Sequence, residues 1–328
     1  MNKSKTLNLR AAIIFLICVN CSASELLSVQ ELLDTMERAQ SSLNYQGTFV
    51  FKHGDKLDAM RITHGVIDGE VKQRIVSLND IAREVIRDGD SVKCIWPRKR
   101  MVVVVPTVSF NGMPSIVPKD LSNVSAAYKI ESSRQSQIAG QSCQLITMLP
   151  TDKYRYGYEF CVQPSNGILL RSKVIDMSRQ KVLEEMLFTQ IDILDSLPAP
   201  RFESKYDLSQ FSWRSSLGGG IKSRNDDLSS DHFKISKLPP NFVLKNTSQF
   251  TIETNSRPVH HMVLSDSIAS ISIFISESGS QDRLVSKLTG RGAINAFTKS
   301  DDRYKITVLG EVPSETVELI GASVRFYE

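Results

Sequence analysis

The sequence predicts an α+β protein that consists mainly of antiparallel sheet, arranged as a large domain followed by a smaller one. Alternating apolar and polar stretches, separated by turn residues, fill residues 44–106. Apolar residues at helical spacing occur at residues 28–43 and again at residues 313–324. Residues 214–231 are rich in glycine, serine and aspartate and contain few large apolar residues, which is typical of a linker.

The first residues have the features of an export signal. Lys3, Lys5 and Arg10 precede an apolar stretch at residues 11–19, which is too short for a bilayer span of about 20 residues. Small residues follow, so we expect cleavage near Ala23 and a soluble protein outside the cytoplasm. The expected organisation is a signal peptide at residues 1–23, a large domain at 24–213, a linker at 214–231 and a small domain at 232–328.

A lipoprotein is the alternative to a cleaved export signal. The lipid would be attached to Cys18 or Cys21, although Ile17 and Asn20 are poor residues to precede a modified cysteine. No other stretch of the sequence resembles a membrane span.

The charge balance argues against nucleic acid as a partner. Of the 40 lysines and arginines, three lie in the export signal, which leaves 37 basic against 36 acidic residues. Proteins that bind nucleic acid normally carry a basic stripe, and a balanced chain does not indicate one.

The mature chain is predicted to begin with a helix. Ser28 and Glu31 have the spacing of a capping box. Apolar residues recur every three or four positions from Val29 to Leu43, so this stripe should pack on one face of the sheet that follows.

Asp88-Gly89 is the strongest hairpin signal in the predicted sheet, because a tight turn favours these residues at positions of positive φ. A two-residue turn there pairs Val85 with Val92 and Glu84 with Lys93. The second pair would place opposite charges across from each other, as neighbouring strands prefer.

Three cysteines follow the export signal. Residues 141–149 and 155–162 are predicted to form a hairpin centred on Asp152, which places Cys143 directly opposite Cys161. An oxidising compartment favours a disulfide between them. Two reduced, buried cysteines on facing strands are the alternative, and Cys94 is expected to be a small apolar core residue.

Several segments, taken in order, resemble the MucB/RseB family of bacterial periplasmic proteins that regulate the envelope-stress (sigma-E type) response. They are YQGTFVFKHGDKLDAMRITHG, REVIRDGDSVKCIWP, YRYGYEF, VHHMVLSDSIASISIFI, GRGAINAF and ITVLGEVPSETVELIGASV. The family also has a strand at residues 181–194, where the spacing alone would suit a helix as well. The chain departs from the family pattern in a polar insert at residues 276–282 and in the pair Cys143 and Cys161.

The resemblance implies that the large domain is a half-open antiparallel β-barrel covered by helices, like periplasmic lipoprotein carriers, and that it can enclose an apolar pocket. An apolar loop at residues 107–118 is expected to be a flap or a partner contact, or else to lie against the core. The residues expected near the pocket are Phe49, Phe51, Ile95, Trp96, Val103, Val105, Phe110 and Ile116. The alternative is that they form the core between sheet and helix.

The resemblance also implies a regulator that uses no cofactor. Such a protein binds the periplasmic segment of a membrane-spanning anti-sigma factor and shields it from the protease that begins its degradation. Lipid A or another acyl-chain ligand in the large domain would weaken this binding, provided that it favours a state that binds the partner poorly. A homodimer is also compatible with the sequence.

Five residues are expected to contact the partner: Tyr154, Tyr156, Tyr158, Arg291 and Asn295. Aromatic and arginine side chains dominate the energetics of interfaces. On one strand the three tyrosines would share a face and line a groove. They would otherwise be half-buried residues of the sheet.

The sequence contains no residue set that predicts catalysis or a metal site, so we expect a protein that is not an enzyme. His53 and His64 flank a predicted hairpin and could approach each other, but histidines on strands are mostly surface or packing residues. Nucleophile and phosphate-loop motifs are absent from the sequence. Two alternatives remain: a lipid or lipoprotein carrier, which would not need the small domain, and a hydrolase of envelope components, which no sequence feature favours.

Overall fold

The computed structural model describes residues 26–79, 83–106, 124, 126–215, 233–251, 258–279, 285–300 and 302–327. Within these ranges the chain forms a large sheet, a smaller sheet, a two-stranded ribbon and two α-helices. The predicted export signal, the apolar loop at 107–118 with Phe110 and Ile116, and most of the predicted linker lie outside the described residues.

The first helix, α1, spans Val29–Ser42, and its capping box is confirmed. Ser28 Oγ accepts a hydrogen bond from the backbone N–H of Glu31 at 3.3 Å, and Glu31 Oε2 accepts one from the backbone N–H of Ser28 at 2.8 Å. The buried stripe of the helix consists of Leu32, Leu33, Met36 and Ala39.

The large sheet contains twelve strands within the described residues. Along the chain they are β1 Asn44–His53, β2 Lys56–Ile67, β3 Glu70–Ser77, β4 Glu84–Asp88, β5 Ser91–Trp96, β6 Met101–Pro106, β7 Tyr128–Ile138, β8 Gln141–Pro150, β9 Gly157–Val162, β10 Leu169–Asp176, β11 Lys181–Leu194 and β12 Ser212–Ser215. Their order in the sheet is β12-β6-β5-β4-β3-β2-β1-β11-β10-β9-β8-β7. Neighbours are antiparallel except for β12 and β6, and the predicted strand at residues 181–194 is confirmed.

The large sheet is strongly curved around α1. This helix contacts both β2 and β7, which lie six positions apart in the sheet. β11 and β7 also contact each other, although they lie four positions apart in the sheet. In a flat sheet four steps of about 4.8 Å would separate these two strands by about 19 Å, too far for contact. The sheet therefore forms a half-open barrel with α1 on its concave face, and its order ends at β12 and β7 without closing.

The predicted register of the β4–β5 hairpin is wrong by two residues. Val85 pairs with Cys94 and Glu84 with Ile95, because Asp88 and Ser91 close the turn. Gly89 is the first turn residue, with a φ of 56°, and Asp90 does not have a positive φ. The predicted turn type needs a positive φ at both of its central residues, Asp88 and Gly89. Only Gly89 has one, and the central residues of the turn are instead Gly89 and Asp90, one position later than predicted.

The register of the cysteine hairpin also differs from the prediction by two residues. Leu145, not Cys143, lies directly opposite Cys161, because residues 151–155 form a wider bend before β9. Cys143 is the diagonal neighbour, and the structure joins it to Cys161 in a disulfide with Cα atoms 5.4 Å apart. Diagonal positions on adjacent strands thus come close enough for this bond.

The smaller sheet contains six strands within the described residues, in the order β14-β15-β16-β19-β18-β17. They are β14 Val243–Thr251, β15 Pro258–Ser265, β16 Ser270–Glu277, β17 Val285–Arg291, β18 Ile294–Ser300 and β19 Tyr304–Gly310. The second helix, α2, spans Ser314–Ser323 and packs on β18 and β19. β13 (Phe233–Ile235) and β20 (Val324–Phe326) form the ribbon. β15 and β16 form a hairpin, and the predicted helix near the end of the chain is confirmed.

Candidate functional site: the inter-sheet interface

The two sheets meet along an interface that contains most of the predicted partner-contact residues. We call it the inter-sheet interface. On the large-sheet side it is formed by residues 126–128, residues 152–156 and Glu184, and on the small-sheet side by residues 240–242, Asp266, residues 293–295 and Thr316.

Arg155 is the centre of the interface. Its Nη1 donates to Asp266 Oδ2 at 2.8 Å, and both side chains are fully shielded from solvent. Nη2 donates to the carbonyl oxygen of Pro240 at 2.6 Å, and Nε donates to Asp152 Oδ1 at 3.1 Å. The guanidinium carbon lies 5.0 Å from the centre of the Phe242 ring. These contacts replace the water that a buried cation loses.

Asp266 is held in place by its own turn. Its Oδ1 accepts hydrogen bonds from the backbone N–H groups of Ile268 and Ala269, at 3.0 and 2.8 Å. Oδ2 accepts from Arg155 and also from the hydroxyl of Tyr128, at 3.2 Å. Every strong acceptor direction of the carboxylate is therefore used, and its partners come from both sheets.

The tip of the β17–β18 hairpin forms the second contact. The backbone N–H of Ala293, a fully buried residue, donates to Glu184 Oε1 at 2.9 Å. Asn295 Nδ2 donates to the hydroxyl of Tyr156 at 2.9 Å. Gly292 has a φ of 61° and lies so close to Glu184 that a Cβ atom would collide with its carboxylate. The positive φ is the reason why this turn position favours glycine, and a Cβ atom there would also force the Glu184 carboxylate to move.

The third contact joins α2 to the bend before β9. Thr316 Oγ1 donates to the carbonyl oxygen of Tyr154 at 2.8 Å. An open groove of about 410 Å³ lies beside this contact, with Lys153, Tyr154, Lys237, Glu315 and Arg325 among its lining residues. Charges of both signs line this groove.

Burial changes the acid–base properties of two interface residues. It raises the pKa of the Tyr156 hydroxyl to about 12. It also raises the pKa of Glu311 to about 7, with the negative charge of Glu184 as the second cause. Oε1 of Glu311 is buried and has no hydrogen-bond partner in the described part of the chain. The charge of Glu184 on the large sheet thus acts on the carboxyl group of Glu311, which follows β19 of the small sheet.

The five predicted partner-contact residues differ in their exposure to solvent. β9 begins only at Gly157, so the three tyrosines do not form one strand face. Tyr156 is 3% exposed and Tyr158 is 1% exposed, and Tyr158 packs inside the large sheet against Tyr128 and Phe160. Tyr154 and Asn295 are half-buried, and Arg291 is exposed at the end of β17. The accessible members of the set therefore lie at the rim of the interface.

The predicted pocket residues lie on two faces of the large sheet. Cross-strand pairing places Phe49, Phe51, Trp96, Val103 and Val105 on the face that α1 covers. Ile95 lies on the opposite face, where it packs with Ile86 and Val102, because successive strand residues alternate between faces. Phe49 is fully buried, whereas the other four are half-buried.

His53 and His64 do not approach each other. His53 lies at one end of the β1–β2 hairpin and bonds Asp58 at 3.2 Å, whereas His64 lies at the other end opposite Tyr45. Among the described residues, no cluster of three potential ligands could hold a metal ion. Within the same ranges, no helix has the length and apolar character needed to cross a membrane.

Sequence reasoning missed Arg155, Asp266, Glu184 and Glu311. Asp266 lies in a serine-flanked turn, and turn chemistry alone accounts for an aspartate there. Arg155 lies between two tyrosines in YRYGYEF, and this pattern by itself does not indicate a buried cation.

Comparisons with known proteins cover almost the whole chain. The sequence model of the MucB/RseB N-terminal domain matches residues 28–206, and that of the MucB/RseB C-terminal domain matches residues 227–325. The chain is 25% identical to the sigma-E factor regulatory protein RseB of Haemophilus influenzae, over 99% of both chains. It is 24% identical to the sigma factor AlgU regulatory protein MucB of Pseudomonas aeruginosa, over 92% of both. The fold resembles that of MucB in the MucA/MucB complex of Pseudomonas aeruginosa, with a TM-score of 0.70, 22% identity, and coverage of 91% of this chain and 98% of that one.

Proposed function

The chain belongs to the MucB/RseB family, and on this premise we propose that it is a periplasmic regulator that binds the periplasmic segment of a transmembrane anti-sigma factor. The observation that carries this proposal is the similarity to a sigma-E regulatory protein over 99% of both chains. MucB, a second relative, has been solved in complex with the periplasmic part of MucA, which supports a partner of this kind.

In this proposal the bound protein shields the partner segment from the protease that begins its degradation, so the sigma factor remains sequestered. The protein acts by binding and not by catalysis. Residues 1–23 direct export, and the two sheets form two domains joined by the linker at residues 214–231.

The proposed binding surface is the rim of the inter-sheet interface. Arg291 and Tyr154 reach solvent there, and the open groove beside α2 lies next to Tyr154. Of the buried members of the predicted set, Tyr156 acts indirectly by holding the two sheets together through Asn295, whereas Tyr158 packs within the large sheet. An arginine and a tyrosine beside a groove have the character of interface anchors.

Release is proposed to follow occupation of the concave face of the large sheet by an acyl-chain ligand. The half-buried apolar residues Phe51, Trp96, Val103 and Val105 lie on that face. A ligand there weakens partner binding only if it prefers an arrangement of the two domains that binds the partner poorly.

Calorimetric titration of the mature protein with the periplasmic segment of the anti-sigma factor from the same organism tests the proposal. We expect a dissociation constant in the micromolar range or below, and slower cleavage of the bound segment by the cognate protease. An absence of binding, together with lipid that co-purifies stoichiometrically and passes to an acceptor, would instead identify a lipid carrier.

A further inference from the structure

The connections at the two ends of strands β1 to β6 carry opposite charge. At one end the chain turns within residues 54–57, 78–83 and 97–100, and at the other end within residues 68–70 and 88–90. The first three connections contain five basic and two acidic residues, whereas the other two contain four acidic residues and no basic one. A mature chain that is close to neutral therefore separates its charge across the large sheet.

We call the first of these two ends the basic rim. Its five basic residues are all exposed: Lys56, Arg83, Arg98, Lys99 and Arg100. Within the described part of the chain, none of them forms an ion pair with a carboxylate. At the acidic end, by contrast, Lys72 pairs with Asp88 at 2.8 Å. Cations that no described carboxylate balances make the rim a region of positive potential that attracts an anionic surface.

Two exposed leucines lie beside these cations. Leu57 is 59% exposed and Leu78 is 44% exposed. The backbone N–H of Leu78 donates to the carbonyl oxygen of Ala59 at 2.8 Å, so the two leucines are diagonal neighbours on adjacent strands. The Asn79 side chain fixes this arrangement, because it donates to the carbonyl oxygen of Leu57 at 3.1 Å and accepts from the N–H of Ala59 at 2.9 Å. The leucines are thus held together as one apolar patch that faces water.

Trp213 extends the rim at the edge of the sheet. β12 begins beside the rim, where the backbone N–H of Ser212 donates to the carbonyl oxygen of Arg100 at 2.8 Å. The next residue, Trp213, is 52% exposed. Tryptophan is enriched at membrane–water interfaces because its ring is apolar and its N–H group is polar.

The basic rim has the breadth of a docking surface. Its first and last connections join β1 to β2 and β5 to β6, which are four strand positions apart in the sheet. At about 4.8 Å per strand, these connections are about 19 Å apart along the sheet. Exposed cations mixed with leucine and tryptophan over this span fit the surface of an anionic bilayer, which offers phosphate charge and an apolar interior beneath it.

We propose that the basic rim docks the protein on the surface of an anionic lipid bilayer, with Leu57, Leu78 and Trp213 at the level of the headgroups. The acidic end of β1 to β6 then points away from the membrane. No lipid leaves the bilayer or enters the barrel in this contact. Docking goes beyond the proposed function, but it would keep the protein in the layer where the membrane-spanning partner lies and so raise their effective concentration.

Sedimentation of the mature protein with lipid vesicles tests the proposal. The vesicles consist of phosphatidylcholine, with or without phosphatidylglycerol, which is anionic. We expect phosphatidylglycerol to increase the affinity at least tenfold at low salt and sodium chloride to weaken the binding, because salt screens exposed charges. Equal binding to both kinds of vesicle would overturn the proposal. An absence of binding to either would also overturn it and would leave an acidic protein as the occupant of the rim.

A charge-reversal variant assigns the binding to the rim. Arg98→Glu combined with Lys99→Glu should weaken binding to the anionic vesicles at least tenfold. The matched control is Lys287→Glu combined with Lys299→Glu, which changes the net charge equally at exposed positions of the small sheet and should leave the affinity unchanged. If both variants lost the same affinity, net charge and not the rim would be responsible, and the proposal would be wrong.

Tryptophan fluorescence gives a second readout. The chain has two tryptophans, so in Trp96→Phe the emission comes from Trp213 alone. Anionic vesicles should shift this emission to shorter wavelength, because the indole ring leaves water. Unchanged emission at saturating vesicle concentration would overturn the placement of Trp213 at the bilayer. The vesicles contain no protein partner, so failure of docking and failure of the proposed regulatory function are separate results.

Discussion

Arg155 of the large sheet and Asp266 of the small sheet form an ion pair whose two side chains are fully shielded from solvent, with 2.8 Å between Nη1 and Oδ2. The two residues are 111 positions apart in the chain. Their pairing is favourable only while the two sheets are docked, because separation exposes both charges to water and removes their shared contacts. The relative arrangement of the two sheets is thus coupled to one buried pair.

Asp266→Ala should destabilise the protein strongly, since it leaves the Arg155 cation buried without its partner. Removal of one member of a buried pair costs about 3–5 kcal/mol. Urea unfolding measures this loss. The control is Lys72→Ala, which breaks the exposed pair between Lys72 and Asp88 and should cost less than about 1 kcal/mol. Equal effects of the two substitutions would show that the buried pair does not hold the sheets together.

Docking of the two sheets should depend on pH through Glu311. The pKa of this carboxyl is about 7, against an ordinary value of 4.5, because burial and the charge of Glu184 both disfavour ionisation. The unfolded state therefore loses this proton more readily than the folded one. The stabilising contribution is fully present below pH 4.5 and is lost as the pH rises through 7, up to about 3 kcal/mol.

Unfolding at pH 5 and pH 8 checks this dependence. Glu184 and Tyr158 of β9 are the titratable groups whose charges interact with that of Glu311. The Tyr158 hydroxyl stays protonated between pH 5 and pH 8 because burial raises its pKa. Glu311→Gln should stabilise the protein at pH 8 and flatten the profile, whereas Glu318→Gln on the exposed face of α2 should not. If the free energy of unfolding changed between pH 5 and pH 8 by the same amount in the wild type and in Glu311→Gln, the prediction would be wrong.

The structure shows which features are local enough to be predicted from sequence. The capping box of Ser28 and Glu31 depends on neighbours along the chain and was predicted correctly. The strand at residues 181–194 was predicted correctly only with the help of the family resemblance, because its spacing suits a helix as well. The register of the β4–β5 hairpin was not predicted correctly, because a turn that is displaced by one residue, as at Gly89, shifts every cross-strand pair by two residues. The partner of Arg155 lies 111 residues away, and no spacing or periodicity indicates it.

The Cys143–Cys161 disulfide should contribute about 3 kcal/mol to stability. It closes a loop over a sequence separation of 18 residues, and cross-linking restricts the unfolded chain by roughly this amount. Replacement of both cysteines by alanine, or reduction, should lower the urea midpoint accordingly. Cys94→Ala, at a half-buried position outside the bond, is the control. Free thiols at both positions in mass spectra of the alkylated native protein would contradict the bond.

Arg291→Ala should weaken binding of the anti-sigma segment about tenfold or more, since it removes an exposed arginine at the rim of the inter-sheet interface. The matched control is Lys287→Ala, four residues earlier on β17 and also exposed. Tyr156→Ala should weaken binding by a different route, through loss of the contact with Asn295 and looser docking of the sheets. Calorimetry combined with urea unfolding separates the two effects, because only Tyr156→Ala should also lower stability. Equal affinities of Arg291→Ala and Lys287→Ala for the segment would move the partner surface away from the end of β17.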